Sequence, residues 1–344
     1  MENNILVIGN GYDLAHGLKT KYDDFIEYVK NKKYDEHSVN IYADEIKRIV
    51  EVSGNGFIKY FEKYTDTVTG WVDAEKLIKN VIDQFQDFFT NYKNYISDKG
   101  GFQTQKADAA YSIFRLFGLT KQINSTTQLY ECFTLDDYDK IYGLNKKAIA
   151  KKMKSELDDL IKALENYLIL EVGMKQIDES KKIEQIAKIN PDYVISFNYT
   201  DTYKIYGIDS EDVFHVHGSL DKNNMVLGFN DDDEKNLDFI YFKKYFQRIQ
   251  KLTGYIDNDR FSYKDEKGIT YGNATTVHFY GHSMDNTDGD IIRKLKKLSD
   301  GFVIYKYNQE DFEQKVINLI DVFGKEEATK LIQNGFIKFE PCSE

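Results

Sequence analysis

The stretch Ile5-Leu6-Val7-Ile8-Gly9-Asn10-Gly11-Tyr12-Asp13-Leu14-Ala15-His16-Gly17-Leu18 constrains the fold of this chain more than any other. An aliphatic run that stops at Gly-x-Gly and resumes as a polar-apolar helical pattern predicts a buried strand, a tight turn and a helix N-terminus. α/β proteins hold phosphates at such turns. Glycine lets the backbone approach a ligand, and the N–H groups of the first helical turn favour an anion. The dinucleotide fingerprint of hydride-transferring enzymes has a third glycine three positions after the second, but Leu14 stands there and the next glycine is Gly17. Hydride transfer is therefore not the pattern, and an ordinary turn into a helix remains the plain structural alternative.

The remaining chain predicts where the sheet partners of Ile5–Ile8 lie. Residues 31–189 read as mainly helical and lack strand-like alternation, the clearest helix running from about Lys146 to Leu170 with Met153, Leu157, Leu160, Ile161, Leu164 and Leu168 on one stripe. From Asp192 the pattern changes to short β-rich segments. These are Tyr193–Tyr199, Val213–His217, Met225–Leu227, Thr275–Tyr280 and Gly301–Tyr307, most stopping at polar or glycine residues. The expected architecture is Rossmann-like α/β, a mostly parallel sheet with helices on both faces and a large helical insertion after the first βα unit. Residues 1–30 and 190–344 would form the discontinuous α/β domain, and residues 31–189 the insertion.

Composition excludes several classes. At 344 residues, 41% hydrophobic, there is ample material for one large or two smaller cores. A net charge of -11 argues against nucleic acid as partner, since that affinity comes from neutralising phosphates with Lys and Arg. No apolar run is long enough to span a bilayer and the N-terminus lacks a signal layout, so a cytoplasmic protein with no membrane partner is expected. Cys132 and Cys342 are too few and too far apart for a disulfide framework or a metal cluster.

In open α/β sheets ligands bind beyond the carboxyl ends of strands. Four elements end there in polar motifs: Gly9-Asn10-Gly11 with Asp13, Ser196-Phe197-Asn198-Tyr199-Thr200-Asp201, His215-Val216-His217-Gly218-Ser219, and Gly281-His282-Ser283 with Asp285. His217 is the candidate base, because histidine titrates nearest neutrality; the structural alternative is a buried histidine satisfied by backbone. Asn198 offers an amide that can orient a hydroxyl or a water, or simply close a strand-end turn. Asp13 can bond a ribose or cap the helix.

Gly9 to Leu18 followed by Thr20 and Tyr22, Trp71-Val72-Asp73-Ala74-Glu75, Phe197-Asn198-Tyr199-Thr200, Val216-His217-Gly218 and Gly281-His282-Ser283 together resemble the AbiH family of phage abortive-infection proteins. The same residues are more distantly similar to sirtuin-like NAD-binding domains, with Gly9, Gly11 and Gly17 at the glycines of that pattern, Asn10 at its Ala and Asp13 at its first Ser. Asn198, His217-Gly218 and Gly281-His282-Ser283 fall at its strand-end Asn, its catalytic His-Gly and its ribose-binding turn. Phe197 replaces an amide, Thr200 stands where an Asp is usual, and no cysteine pairs supply a zinc site, which argues against a deacetylase. The resemblance implies a phage-defence protein that binds NAD or a related nucleotide and hydrolyses it as a glycohydrolase. Gly9, Asn10, Gly11, Asp13, Gly17, Gly281, His282 and Ser283 would bind the nucleotide and His217 and Asn198 would be catalytic. A phage-derived trigger and self-association are the partners it implies.

Two other classes stay open on the residues. His215 and His217, with His278, His282 and Asp285 if that segment stays extended, would bind a divalent metal for phosphodiester hydrolysis. A catalytically silent nucleotide sensor, its helical insert engaging a partner, would present the same pocket.

Overall fold

The computed structural model describes residues 2–32, 54–64, 71–97, 101, 108–123, 126–137, 140–173, 178–230, 237–264, 270–272 and 274–343. The chain groups into two units, one of residues 1–20, 168–226 and 247–344, the other of residues 21–167 and 227–246. The sequence pattern set its divisions at 30/31 and 189/190. Residues 33–53, assigned by that pattern to the helical insertion, lie outside the described residues.

The first unit is organised by β1 (Glu2–Ile8), whose four aliphatic residues Ile5 to Ile8 are all fully buried. β1 pairs in parallel with β2 (Tyr193–Ser196) on one side and with β4 (Ala274–Tyr280) on the other, Ile8 standing opposite Ser196 and Tyr280. β3 (Val213–His215) extends the sheet beyond β2, and β5 (Gly301–Lys306) and β6 (Ile337–Pro341) extend it beyond β4, giving the order β6-β5-β4-β1-β2-β3. Every pair is parallel, so every strand ends on one rim.

Alternation along β1 sends its side chains to two cores. Ile5 and Val7 join Ile195, Val277, Phe279 and Ile304 under α3 (Gly289–Leu298), α4 (Gln309–Phe323) and α5 (Lys325–Gln333). Leu6 and Ile8 join Val194, Tyr280 and Tyr305 under α1 (Asn10–Ala15) and α2 (Glu184–Ile189). Helices thus cover both faces, and burying each large aliphatic side chain contributes roughly 1.5–3 kcal/mol. The architecture is the expected Rossmann-like one. The chain builds outward from β1 to β2 and β3, then returns to the far side of β1 for β4, β5 and β6. The strand order therefore reverses between β1 and β4, the place where open α/β sheets leave a crevice for a ligand.

The second unit holds the helices Tyr22–Lys32, Gly56–Phe61, Trp71–Tyr95, Asp108–Leu116 and Lys146–Tyr167. Its core is aromatic: Phe57 meets Phe117 edge-on at 4.9 Å, and Phe114 lies 4.7 Å from Phe85 and 4.3 Å from Phe88. Asn55 caps the short helix Gly56–Phe61, its side chain accepting from the N–H groups of Phe57 and Ile58. Glu75 of the Trp71–Glu75 motif forms a buried ion pair with Lys244 at 2.8 Å.

Several details depart from the sequence reading, which has no strand at Ile337–Pro341 and no hairpin of Ser262–Lys264 with Thr270–Gly272. The middle of the chain contains two antiparallel hairpins, Thr120–Ile123 with Thr126–Leu129 and Thr134–Asp137 with Lys140–Leu144. Four- and five-residue strands rich in Thr, Gln and Asp carry no apolar alternation, so they left no period-two signal. Met225–Leu227 is not a strand. These residues are buried, but Val226 bonds through its N–H to His217 O at 2.8 Å, and its carbonyl accepts from the Tyr199 hydroxyl. No helix of the described residues is long and apolar enough to cross a membrane.

Candidate functional site

The carboxyl ends of β1 and β4 meet through glycine. Gly11 N–H donates to Gly281 O at 2.9 Å, and Gly9 N–H donates to Tyr280 O at 3.2 Å. A Cβ on Gly9 would stand 2.7 Å from Gly281 O, and one on Gly11 2.8 Å from Gly281 Cα. Gly281 itself has φ +67, and a Cβ there would lie 2.0 Å from the Tyr12 nitrogen. Tyr12 N–H turns back to Gly9 O at 2.8 Å. The glycines therefore serve a backbone-to-backbone contact, and the amides of Gly9 and Gly11, expected to cradle phosphate, are spent inside the protein. Gly17 has φ +79 in the turn that ends α1, with nothing within 4 Å of its Cβ position, so its role is conformational.

Asn198, past the end of β2, joins this junction: its Nδ2 donates to Gly9 O at 3.0 Å. The amide expected to hold ribose or water thus clamps the β1 turn. Asp13 is not a helix cap. It is 1% exposed, its Oδ2 accepts from Thr200 Oγ1 at 2.6 Å, and its Oδ1 accepts no hydrogen bond among the described residues. Burial pushes the Asp13 carboxyl up to about 6, although the polar side chains of Thr200, Thr202 and Asn198 pull the other way.

His217 lies just beyond β3 and is 4% exposed. Its Nε2 donates to Asp288 Oδ1 at 2.9 Å. His282, after β4, accepts the Met284 N–H on Nδ1, which leaves its proton on Nε2, 3.7 Å from Asp288 Oδ2. One carboxylate thus faces two imidazoles. Phe197 packs edge-on against both rings, at 5.3 Å from His217 and 4.3 Å from His282. Asp288 went unnoticed in the sequence, where it falls among unremarkable polar residues after Asp285. It occupies the position before the first turn of α3 but makes no capping bond, because its carboxylate is turned to the histidines. A helix N-terminus preceded by Asp is the signal that marks it; the signal's usual meaning, capping, is not what the residue does.

The remaining polar residues have separate partners. His215 Nδ1 donates to Asn198 O at 3.0 Å and its Nε2 is 3.5 Å from Asp201 Oδ1. Burial alone would raise the Asp201 carboxyl, but hydrogen bonds from His215 and Lys204 outweigh it and hold the group below its ordinary range. His278 Nδ1 is 3.2 Å from the Tyr305 hydroxyl. Asp285 caps the turn Asn286–Asp288 through Thr287 N–H, and Ser283 Oγ accepts from Asp285 N–H at 3.4 Å. His278 and His282 do not share an extended strand, since β4 ends at Tyr280 and Gly281 turns the chain. Among the described residues no group of three or more His, Cys, Asp or Glu side chains is placed to hold a metal ion.

The arrangement therefore gathers Gly9, Gly11, Asn198, His217, Gly281 and His282 at one rim, with Asp288 and Asp13 as its carboxylates. A histidine held by a buried carboxylate is fixed in orientation and supported when it takes a proton. With Nε2 given to Asp288, Nδ1 is the other ring nitrogen of His217, and it is buried. A family model described as "Bacteriophage abortive infection AbiH" matches residues 5–305, which includes every residue of this rim. No curated protein matches the chain.

Proposed function

Since the chain belongs to the bacteriophage abortive infection AbiH family, we propose that it acts in phage defence by binding a nucleotide at the β1–β4 crevice and hydrolysing NAD there. The observation that carries the reading is the convergence of His217, Asp288 and His282 with the Gly9–Gly11 turn where the strand order reverses.

Hydrolysis of the nicotinamide–ribose bond suits these groups. Water attacks the anomeric carbon, the carbon–nitrogen bond breaks with its electron pair passing to nicotinamide, and the water proton is taken up by a base. His217 is that base, and Asp288 supports the imidazolium that forms. Phosphate anchoring falls to donors other than the Gly9 and Gly11 amides. Asp13, buried beside the turn with one oxygen lacking a hydrogen bond, is the acceptor for a ligand hydroxyl if the turn opens.

The deciding experiment is chromatography of NAD after incubation with purified protein, with and without a lysate of phage-infected cells. Nicotinamide and ADP-ribose appearing with wild type but not with His217→Ala supports the reading. Intact NAD in both conditions, with thermal stabilisation by the nucleotide, replaces it with a non-catalytic sensor.

A further inference from the structure

One loop bonds to residues flanking each half of the His217–Asp288 pair, and not to the pair itself. Arg248, in the last turn of the helix Lys244–Gln250, is 4% exposed, and its Nη2 donates to Asp290 Oδ2 at 2.8 Å. Asp290 is in the first turn of α3, two residues after Asp288. On the histidine side, Thr253 Oγ1 donates to His215 O at 2.6 Å. Lys251 Nζ donates to Met225 O, beside the Val226 whose N–H holds His217 O. The loop is closed by Thr253 N–H on Arg248 O at 2.9 Å. Gly254, at φ +78, lies so close that a Cβ there would be 2.3 Å from Arg248 Cδ.

Stability alone does not account for Arg248. Taking a guanidinium out of water is costly, and its Nε–H is buried with no acceptor among the described residues. Its partner Asp290 is half-exposed, which weakens the compensation. The carboxylate at the N-cap position of α3 is turned to His217 and makes no capping bond, and Arg248, through Asp290, engages the first turn of that helix from another element.

We propose that Arg248 is a positioning residue: through Asp290 it sets the first turn of α3, and with it the placement of Asp288 against His217. The inference rests on the reading of that pair as the proton-transfer group. It predicts that the geometry of the pair, and not only the stability of the fold, depends on the guanidinium.

The test uses the full-length protein labelled with ¹⁵N-histidine, the His217 ring signals being identified by their loss in His217→Gln. Arg248→Ala is expected to move the His217 Nε2 signal toward its position in Asp288→Asn. Arg248→Lys, which keeps a cation near Asp290, is expected to move it less than half as far. In parallel, NAD turnover in Arg248→Ala falls about tenfold with a displaced pH profile, the size expected of a misplaced catalytic group. A folded Arg248→Ala protein with unmoved His217 signals overturns the proposal. If that variant does not fold, Asp290→Asn breaks the same ion pair at a half-exposed carboxylate and is read by the same criterion. Absence of NAD turnover in the wild type overturns the hydrolase reading alone, because the spectral comparison decides the role of Arg248 without substrate.

Discussion

Gly281 holds its backbone so close to Tyr12 that a methyl group on it would lie 2.0 Å from the Tyr12 nitrogen. The two residues are far apart in the chain, and their contact welds the first turn of α1 to the end of β4. Any side chain at position 281 meets backbone rather than a movable side chain, and it also has to adopt φ +67. Gly281→Ala is therefore expected to destabilise the protein by at least about 3 kcal/mol, or to prevent folding. Gly17→Ala, with open space at its Cβ position, meets only the left-handed backbone penalty of about 1 kcal/mol. Thermal unfolding of the two variants checks the difference; equal losses would show that the close packing is unimportant.

On the proposed reading, variants at His217 and Asp288 separate catalysis from folding. His217→Ala is expected to reduce NAD hydrolysis by about a hundredfold or more, the usual size of a general-base contribution. Asp288→Asn is expected to cost about tenfold to a hundredfold while leaving stability nearly unchanged, since Asn is itself a good N-cap and α3 regains the cap that Asp288 withholds. Initial rates with circular dichroism of each variant check this. An Asp288→Asn protein as active as wild type would remove the carboxylate from the mechanism.

Asp13 sets a pH dependence of stability. Its folded carboxyl is raised to about 6 by burial, above its ordinary value of 3.8. Below the ordinary value both folded and unfolded states are protonated, so burial brings no ionisation penalty. As pH rises toward 6 the unfolded state releases its proton first, and stability falls; above that the penalty is complete. Asp13→Asn is expected to be more stable than wild type at pH 7 by on the order of 1–3 kcal/mol, with the gain vanishing near pH 4. Urea midpoints across that range measure it. A gain that stays constant with pH would mean that the effect is not ionisation.

Glu75 and Lys244 test the second unit. Their pair is almost wholly buried, at 9% and 1% side-chain exposure. Removing one partner leaves a charge in a dry site, so Glu75→Ala is expected to cost about 3–5 kcal/mol. The double variant Glu75→Leu with Lys244→Met replaces both charges by apolar groups and should recover most of that loss. A double variant as unstable as the sum of the single ones would show that other contacts of these residues dominate.

The sequence by itself determined the elements whose signals are local. Four aliphatic residues ending at Gly9 mark a strand buried on both faces, and the apolar stripe from Met153 to Leu164 marks the helix Lys146–Tyr167. It also indicated that the motifs at Gly9, Asn198, His217 and Gly281 end on one side, because parallel strands do, although it did not mark Asp288 among them. Only the tertiary structure decided what those residues do there. Gly11 gives its amide to Gly281 and Asn198 gives its side chain to Gly9, while Asp13 turns to Thr200 and not to the helix end. The carboxylate of Asp288 reaches a histidine 71 residues away. The physical reason is that backbone preference is set by neighbours in the chain, whereas a hydrogen bond goes to whichever partner packing brings within 3 Å. The Gly-x-Gly turn was legible as a turn, and its commitment to a second strand end was not.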